Sequence, residues 1–284
     1  MHNVQPAPSS VILDGISPDM LDISWDRVTG VEILNGDLAD CVDLLRSTHG
    51  LTCLILRAIE AEMSRFSGIE STTHRSLRSL KIDGMLDTLS LLTLPALQEL
   101  FVEPFTYHVV GFIERSGCNL TWLTIKWESG YGLDDECVEE DIMSLLEHTP
   151  TLLELGLDAV PLSDAFFERL KPINRLYCSS SNEAQTGRFL PVLHTLVIRC
   201  IMKFPWASVC GLFDPAPPQH SLPTLKIFRL VLFPDTGQGD ASYDCVSIPL
   251  CAAKFLVDAR KVFKVQISVS DESSSILLRS SVRS

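Results

Sequence analysis

Seven histidines and thirty-six Asp and Glu residues raise the question of whether any are spaced to do chemistry. His49, His74, His148 and His194 fall near expected turns or strand starts. No G-x-S-x-G, H-E-x-x-H or other partner at diagnostic spacing accompanies them. A nucleophile needs a base within hydrogen-bond reach, so without such a pattern a hydrolase on an α/β layer is the weakest reading, and no enzymatic activity is expected. Asp134, Asp135, Glu136, Glu139, Glu140 and Asp141 have the charge to hold a cation but lack the alternate-residue ligands of a calcium loop. A helix start, where the macrodipole favours acids, accounts for them. "GQG" at 237–239 lacks the lysine and following helix of a phosphate loop. "NLT" at 119–121 matches a glycosylation sequon but opens an expected strand. Neither a cofactor nor a metal is expected.

Nine cysteines, at 41, 53, 118, 137, 178, 200, 210, 245 and 251, form no C-x-x-C pair, and their number is odd. Several stand where an apolar residue is expected, which favours buried reduced thiols over a disulfide frame or a zinc site. The formal charge of -13 argues against a phosphate backbone as partner, because nucleic-acid affinity comes mostly from Lys and Arg releasing counterions. A basic partner suits it better, and solubility alone would also explain it. The opening "MHNVQPAPSS" has neither the basic region nor the apolar run of a secretory signal. The longest apolar stretch, "MLDTLSLLTLPAL", is broken by Asp87 and Pro95, so no membrane helix is expected. These features place the chain inside the cell, in cytoplasm or nucleus, with no nucleic-acid or membrane partner.

The elements that would position a site emerge from one spacing. "NLTWLTI" at 119–125 separates Leu120, Leu123 and Ile125 by a gap of two and then of one. "GLTCLIL", "SLRSLKI", "ALQELFV", "TLLELGL" and "VLHTLVI" repeat it. The strict form L-x-x-L-x-[LIV] occurs nine times, where composition alone gives roughly two. With any apolar residue allowed, first positions fall at 28, 51, 77, 97, 120, 152, 173, 193, 225 and 262. Most steps lie within the 20 to 29 residues of leucine-rich repeats, each supplying one strand and one helix or helical turn. A short strand points alternate residues inward, and the first apolar residue enters the core where the chain turns into that strand. Helices are expected between strands: "DLADCVDLLRSTHG" places Leu38, Cys41, Val42 and Leu45 on one face, and "YHVVGFIERSGCN" places Val109, Phe112 and Ile113 likewise before Gly117. "ECVEEDIMSLLEHTP" has its acids in the first turn and stops before Pro150.

The expected fold is α/β: a leucine-rich-repeat solenoid with a curved parallel sheet on the concave side and helices on the convex side. Residues 1–20 form a flexible or capping segment, 21–270 about ten irregular repeats, and 271–284 a serine-rich, disordered tail. The turn position that usually holds Asn or Cys holds Ile59, Met85, Phe105, Val160, Ile201 and Phe233, so no asparagine ladder is expected. Three long steps, "KWESGYGLDDECVEED", "KFPWASVCGLFDPAPPQH" and "FPDTGQGDASYDC", read as loops.

A repeat arc binds through the side chains its strands leave on the open face. One row reads Glu32, Ile55, Lys81, Phe101, Thr124, Gly156, Tyr177, Val197, Arg229 and Gln266, and a neighbouring row includes Glu99, Trp122, Glu154 and Arg175. Aromatic residues beside arginine favour binding hot spots. Phe101, Trp122, Arg175 and Tyr177 are therefore the expected protein-binding patch, with cover by inserts or helices as the alternative.

The succession "ISWDRVTGVEILNGDLADCVDLLRSTHGLTCLIL", "LTLPALQELFVE", "VVGFIERSGCNLTWLTI", "LLEHTPTLLELGL" and "FLPVLHTLVIR" resembles the repeat region of the F-box/leucine-rich-repeat proteins of mushroom-forming fungi, over about residues 20–235. In that family an F-box motif holds the Skp adaptor of a cullin-RING ubiquitin ligase while the repeats hold a substrate. The resemblance thus implies a substrate-recognition region. The F-box motif is not seen in "PAPSSVILDGISPDML", so contact with a Skp-type adaptor is not implied. A scaffold or assembly adaptor unconnected with ubiquitin is the other reading.

Overall fold

Alternation of one buried and one open side chain, repeated every twenty-odd residues, has a single economical solution: parallel strands in register, joined by segments that return over the apolar face. The computed structural model describes residues 7–59, 70–84, 86–103, 108–127, 135–171, 189–201, 204–213, 225–233, 249–259 and 264–269. The chain divides into two compact units, Met1–Tyr131 and Gly132–Ser284.

In the first unit, β1 (Ser10–Asp14), β2 (Gly30–Leu34), β3 (Cys53–Arg57), β5 (Ser79–Asp83), β7 (Glu99–Glu103) and β8 (Trp122–Lys126) pair in that order, every pair parallel. Two-residue strands β4 (Thr72–Thr73) and β6 (Leu92–Thr93) pair separately. Val31, Leu54, Leu80, Leu100 and Leu123 stand opposite one another, as do Ile33, Leu56, Ile82, Val102 and Ile125; all are buried. Helices α1 (Leu38–Ser47) and α2 (His108–Ser116) add their apolar faces to this core, with Leu38, Cys41, Val42 and Leu45 buried in one and Val109, Phe112 and Ile113 in the other. Asp37 caps α1, its carboxylate accepting from the Ala39 N–H at 2.8 Å. Gly117, at φ 56, closes α2 and donates to the Ile113 carbonyl at 3.0 Å. Strand β1 lies outside the leucine spacing, in a segment expected to be flexible or a cap.

In the second unit, β9 (Glu154–Asp158), β10 (Thr195–Ile201), β11 (Ile227–Phe233) and β12 (Lys264–Val269) form a second parallel set. Leu155, Leu196, Phe228 and Val265 align across it and are buried. Around them lie α3 (Asp135–Glu147), α4 (Asp164–Leu170), α5 (Trp206–Gly211) and α6 (Leu250–Ala259). Phe167 packs between Phe166 and Phe204, with centroids at 5.4 and 4.5 Å, and Phe213 stands edge-on to Phe228 at 5.3 Å. Helix α5 lies in a stretch expected to be a loop. Pro205 pre-sets its entry, and Trp206 and Val209 are buried, so two apolar anchors outweigh a Pro-rich composition. The repeat expected at 173–178 and the tail at 271–284 lie outside the described residues.

Two backbone ladders explain the odd spacing. A tight turn precedes the first leucine: the N–H groups of Leu51, Leu97, Leu152 and Leu193 donate to the carbonyls three residues earlier, at 3.1–3.3 Å. That turn drops Leu51, Leu97 and Leu152 fully into the core. One carbonyl then accepts from two successive N–H groups of the next strand's start: Thr29 O from Thr52 and Cys53, Thr52 O from Arg78 and Ser79, Gln98 O from Thr121 and Trp122. At the far end of the strands, Gly15, Asn35, Ala58, Gly84 and Ala159 all have positive φ. The N–H groups of the first four donate to the last carbonyl of the following strand, at 2.9, 3.1, 3.1 and 2.7 Å, and that of Ala159 donates to the Arg199 carbonyl within β10 at 2.6 Å. This backbone ladder serves the exits, and the apolar side chains of Ile59 and Val160 fill the turns behind two of them.

Candidate protein-binding face

With the even positions of each triplet buried, the odd ones are left on the open side of the sheet. In the first unit these make three rows: Gly30, Cys53, Ser79, Glu99 and Trp122; Glu32, Ile55, Lys81, Phe101 and Thr124; and Leu34, Arg57, Asp83, Glu103 and, at the end of β8, Lys126. None is buried. Phe101 and Trp122 thus sit on adjacent strands, one row (two residues) apart along them, on the same open face. Arg175 and Tyr177 lie outside the described residues, so the face stands on Phe101 and Trp122.

Charges on this face are mostly matched across strands. The Lys81 ammonium lies 4.5 Å from the Phe101 ring centroid, a cation–π contact between register partners. Arg57 Nε stands 3.1 Å from Glu32 Oε1, yet its buried N–H has no acceptor aligned with it, so the attraction is Coulombic without a directed hydrogen bond. Lys126 pairs with Glu103. Each of these partners is a register neighbour or one diagonal step away, and the row rule contains that signal once charges are read across strands as well as along them. Ile12 of β1, 65% exposed, continues the Glu32 row. The leucine spacing gave no hint of it, because "SVILD" is a short apolar run without the triplet.

The second unit's open face carries Gly156, Val197, Arg229 and Gln266 in one row. Arg199 reaches Asp158 at 3.4 Å, while Arg229 Nε is buried without a hydrogen-bond partner. Val231, on the same side, is buried.

Several titratable groups make structural contacts or are buried. His74 is buried; Leu77 N–H donates to its Nδ1 at 3.1 Å, which leaves Nε2–H to donate to the Thr48 carbonyl at 2.9 Å. The histidine therefore bolts the end of α1 to the turn before β5. His148 Nδ1 lies 2.8 Å from the Ser144 carbonyl one helical turn back. Cys41, Cys118 and Cys200 are buried free thiols. Burial, with Asp40 and Asp37 nearby, pushes the Cys41 thiol up to about 12. Burial, partly offset by a backbone hydrogen bond, takes Cys118 to about 11, and burial with the Asp158 charge takes Cys200 to about 12. Such thiols stay protonated and are poor nucleophiles. Cys53 and Cys210 are half-buried and Cys251 is exposed, all three free. Glu139 of the acidic cluster accepts from the Ser163 N–H at 3.0 Å, a capping role. Among the described residues, no three His, Cys, Asp or Glu side chains gather as a metal would need, and no helix is long and apolar enough to cross a membrane.

No family model matches the sequence, and none of the curated proteins compared with it is significantly similar.

Proposed function

We propose that the protein is a non-enzymatic recognition module of the leucine-rich-repeat type. It would hold a protein partner on the open side of its parallel sheet, in the manner of the substrate-recognition region of an F-box ubiquitin-ligase receptor. One observation carries this reading. Phe101 and Trp122 stand on neighbouring in-register strands, outside the core, on a backbone whose inward positions are wholly buried. Rigid, partly exposed aromatic side chains are what interface hot spots are made of, because they bring area at little entropic cost. Strands fixed by a continuous core present them without reorganisation.

The test has two arms. A partner is first isolated by crosslinking to the full chain, and its affinity is then measured against Phe101→Ala and Trp122→Ala. Each should weaken binding at least tenfold, about 1.4 kcal/mol, while the thermal midpoint moves by less than a few degrees. Large loss of stability instead would place both residues in the core. Pull-down with a Skp adaptor and a cullin separates a ligase receptor from a scaffold unconnected with ubiquitin, which would bind neither.

A further inference from the structure

Two neighbouring groups on the first unit's open face lack the partners that their equivalents have. Phe101 already carries the Lys81 ammonium over its ring. Glu32 and Glu103 already have Arg57 and Lys126. Glu99 and Trp122 are directly opposed in register on β7 and β8, so their Cα atoms are about one strand spacing, ~5 Å, apart. Glu99 is exposed and Trp122 half-buried. Neither the Glu99 carboxylate nor the Trp122 indole N–H has a hydrogen-bond or ion-pair partner among the described residues.

We infer that Glu99 and Trp122 form a subsite for an arginine side chain of the bound partner, the guanidinium stacking on the indole while its edge donates to the carboxylate. The chemistry selects arginine over lysine. A planar guanidinium can satisfy a flat π-face and a carboxylate at the same time, and it is more weakly hydrated than an ammonium, so less is lost when it is covered. The Lys81–Phe101 contact is an intramolecular version of half of this arrangement, one strand away. Charge complementarity points the same way: with the two matched pairs set aside, the charged strand residues left among the described residues of the first unit's open face are Asp14, Asp83, Glu99 and Lys81, and the chain as a whole carries -13. The partner segment is therefore an exposed, arginine-bearing stretch of protein. This inference rests on the open face being the binding face.

The experiment uses the full chain and fluorescein-labelled, end-blocked tetra-arginine, tetra-lysine and tetra-glutamate, with anisotropy read at low and at moderate salt. Tetra-arginine should bind weakly but measurably, better than tetra-lysine, and tetra-glutamate not at all. Glu99→Gln and Trp122→Ala should each weaken tetra-arginine about three- to fivefold, and Trp122→Phe by less. Glu70→Gln, which removes an exposed carboxylate elsewhere on the same unit, should leave it unchanged. Because Glu99 is exposed, Glu99→Gln tests the subsite even if Trp122→Ala folds poorly. Equal binding of tetra-lysine, equal loss in Glu70→Gln, or no effect of Glu99→Gln overturns the inference. If Phe101→Ala and Trp122→Ala still abolish capture of the isolated partner while Glu99→Gln and tetra-arginine competition do nothing, the arginine subsite fails and the binding face stands.

Discussion

Lys81 Nζ lies 4.5 Å above the ring of Phe101, its register partner on the next strand. The contact holds the ring's orientation and covers one of its faces, so it shapes what a partner can reach. A double-mutant cycle of Lys81→Ala and Phe101→Ala should give a coupling of about 0.5–1 kcal/mol in the unfolding free energy. A coupling indistinguishable from zero in urea melts would mean that the ammonium is not held there in solution.

His74 should matter for stability and not for binding. Replacing it with alanine strands the buried Leu77 N–H and leaves the Thr48 carbonyl with the Leu51 N–H as donor, and an unmade buried hydrogen bond costs about 1–3 kcal/mol. His74→Ala is therefore expected to lower stability by about 1–3 kcal/mol in denaturant melts. Partner affinity, measured well below the melting temperature, should be retained.

The exit turns make a prediction of opposite sign. Ala58 and Ala159 hold φ of 49 and 56, where a Cβ is disfavoured and glycine is not. Ala58→Gly and Ala159→Gly should each stabilise the protein by about 0.5–1 kcal/mol, after the added flexibility of the unfolded chain is deducted. Gly84, at φ 119, should behave conversely: Gly84→Ala meets nothing closer than the Ala58 N at 3.8 Å but is strained by its backbone, and its melting midpoint should fall.

Alkaline pH should destabilise the fold through its buried thiols. An unfolded thiol ionises near 9, whereas Cys41 and Cys200 hold their protons to about 12. Above 9 the unfolded chain therefore loses protons that the folded one keeps, and stability falls with rising pH until the folded thiols ionise. The slope is up to about 1.4 kcal/mol per pH unit for each thiol. Cys200→Ala should make stability fall less steeply between pH 9.5 and 11 than in the parent, as read from denaturant melts across that range; an unchanged slope would show that the thiol is solvated.

Much of this was readable because the pattern is local and repeated. Alternation across "CLILR" or "WLTIK" fixes which side chains turn inward, and recurrence fixes that the strands pair side by side, so the rows holding Phe101 and Lys81 could be written down from residue numbers alone. The α1 and α2 faces followed from helical spacing, with Gly117 marking the end of α2. Strand β1 was not legible: "SVILD" lacks the preceding leucine, and it becomes a strand because β2 offers it an edge, with Gly15 N–H reaching the Leu34 carbonyl at 2.9 Å. Helix α5 was hidden by prolines and surfaced through burial of Trp206 and Val209.

The alternation, the inward triplets and the residue types exposed on each strand are local properties of the chain, since they depend only on backbone periodicity and hydrophobicity. Tertiary structure decided which open-face groups meet. Lys81 is attached to Phe101, Arg57 to Glu32 and Lys126 to Glu103, and Glu99 and Trp122 are left over, because side-chain reach between strands depends on lateral packing that no spacing along the chain encodes. It also decided that the turns are closed by backbone N–H groups of left-handed residues, Ala58 and Ala159 among them. The positive φ there follows from a carbonyl on the neighbouring strand, not from any preference of alanine itself.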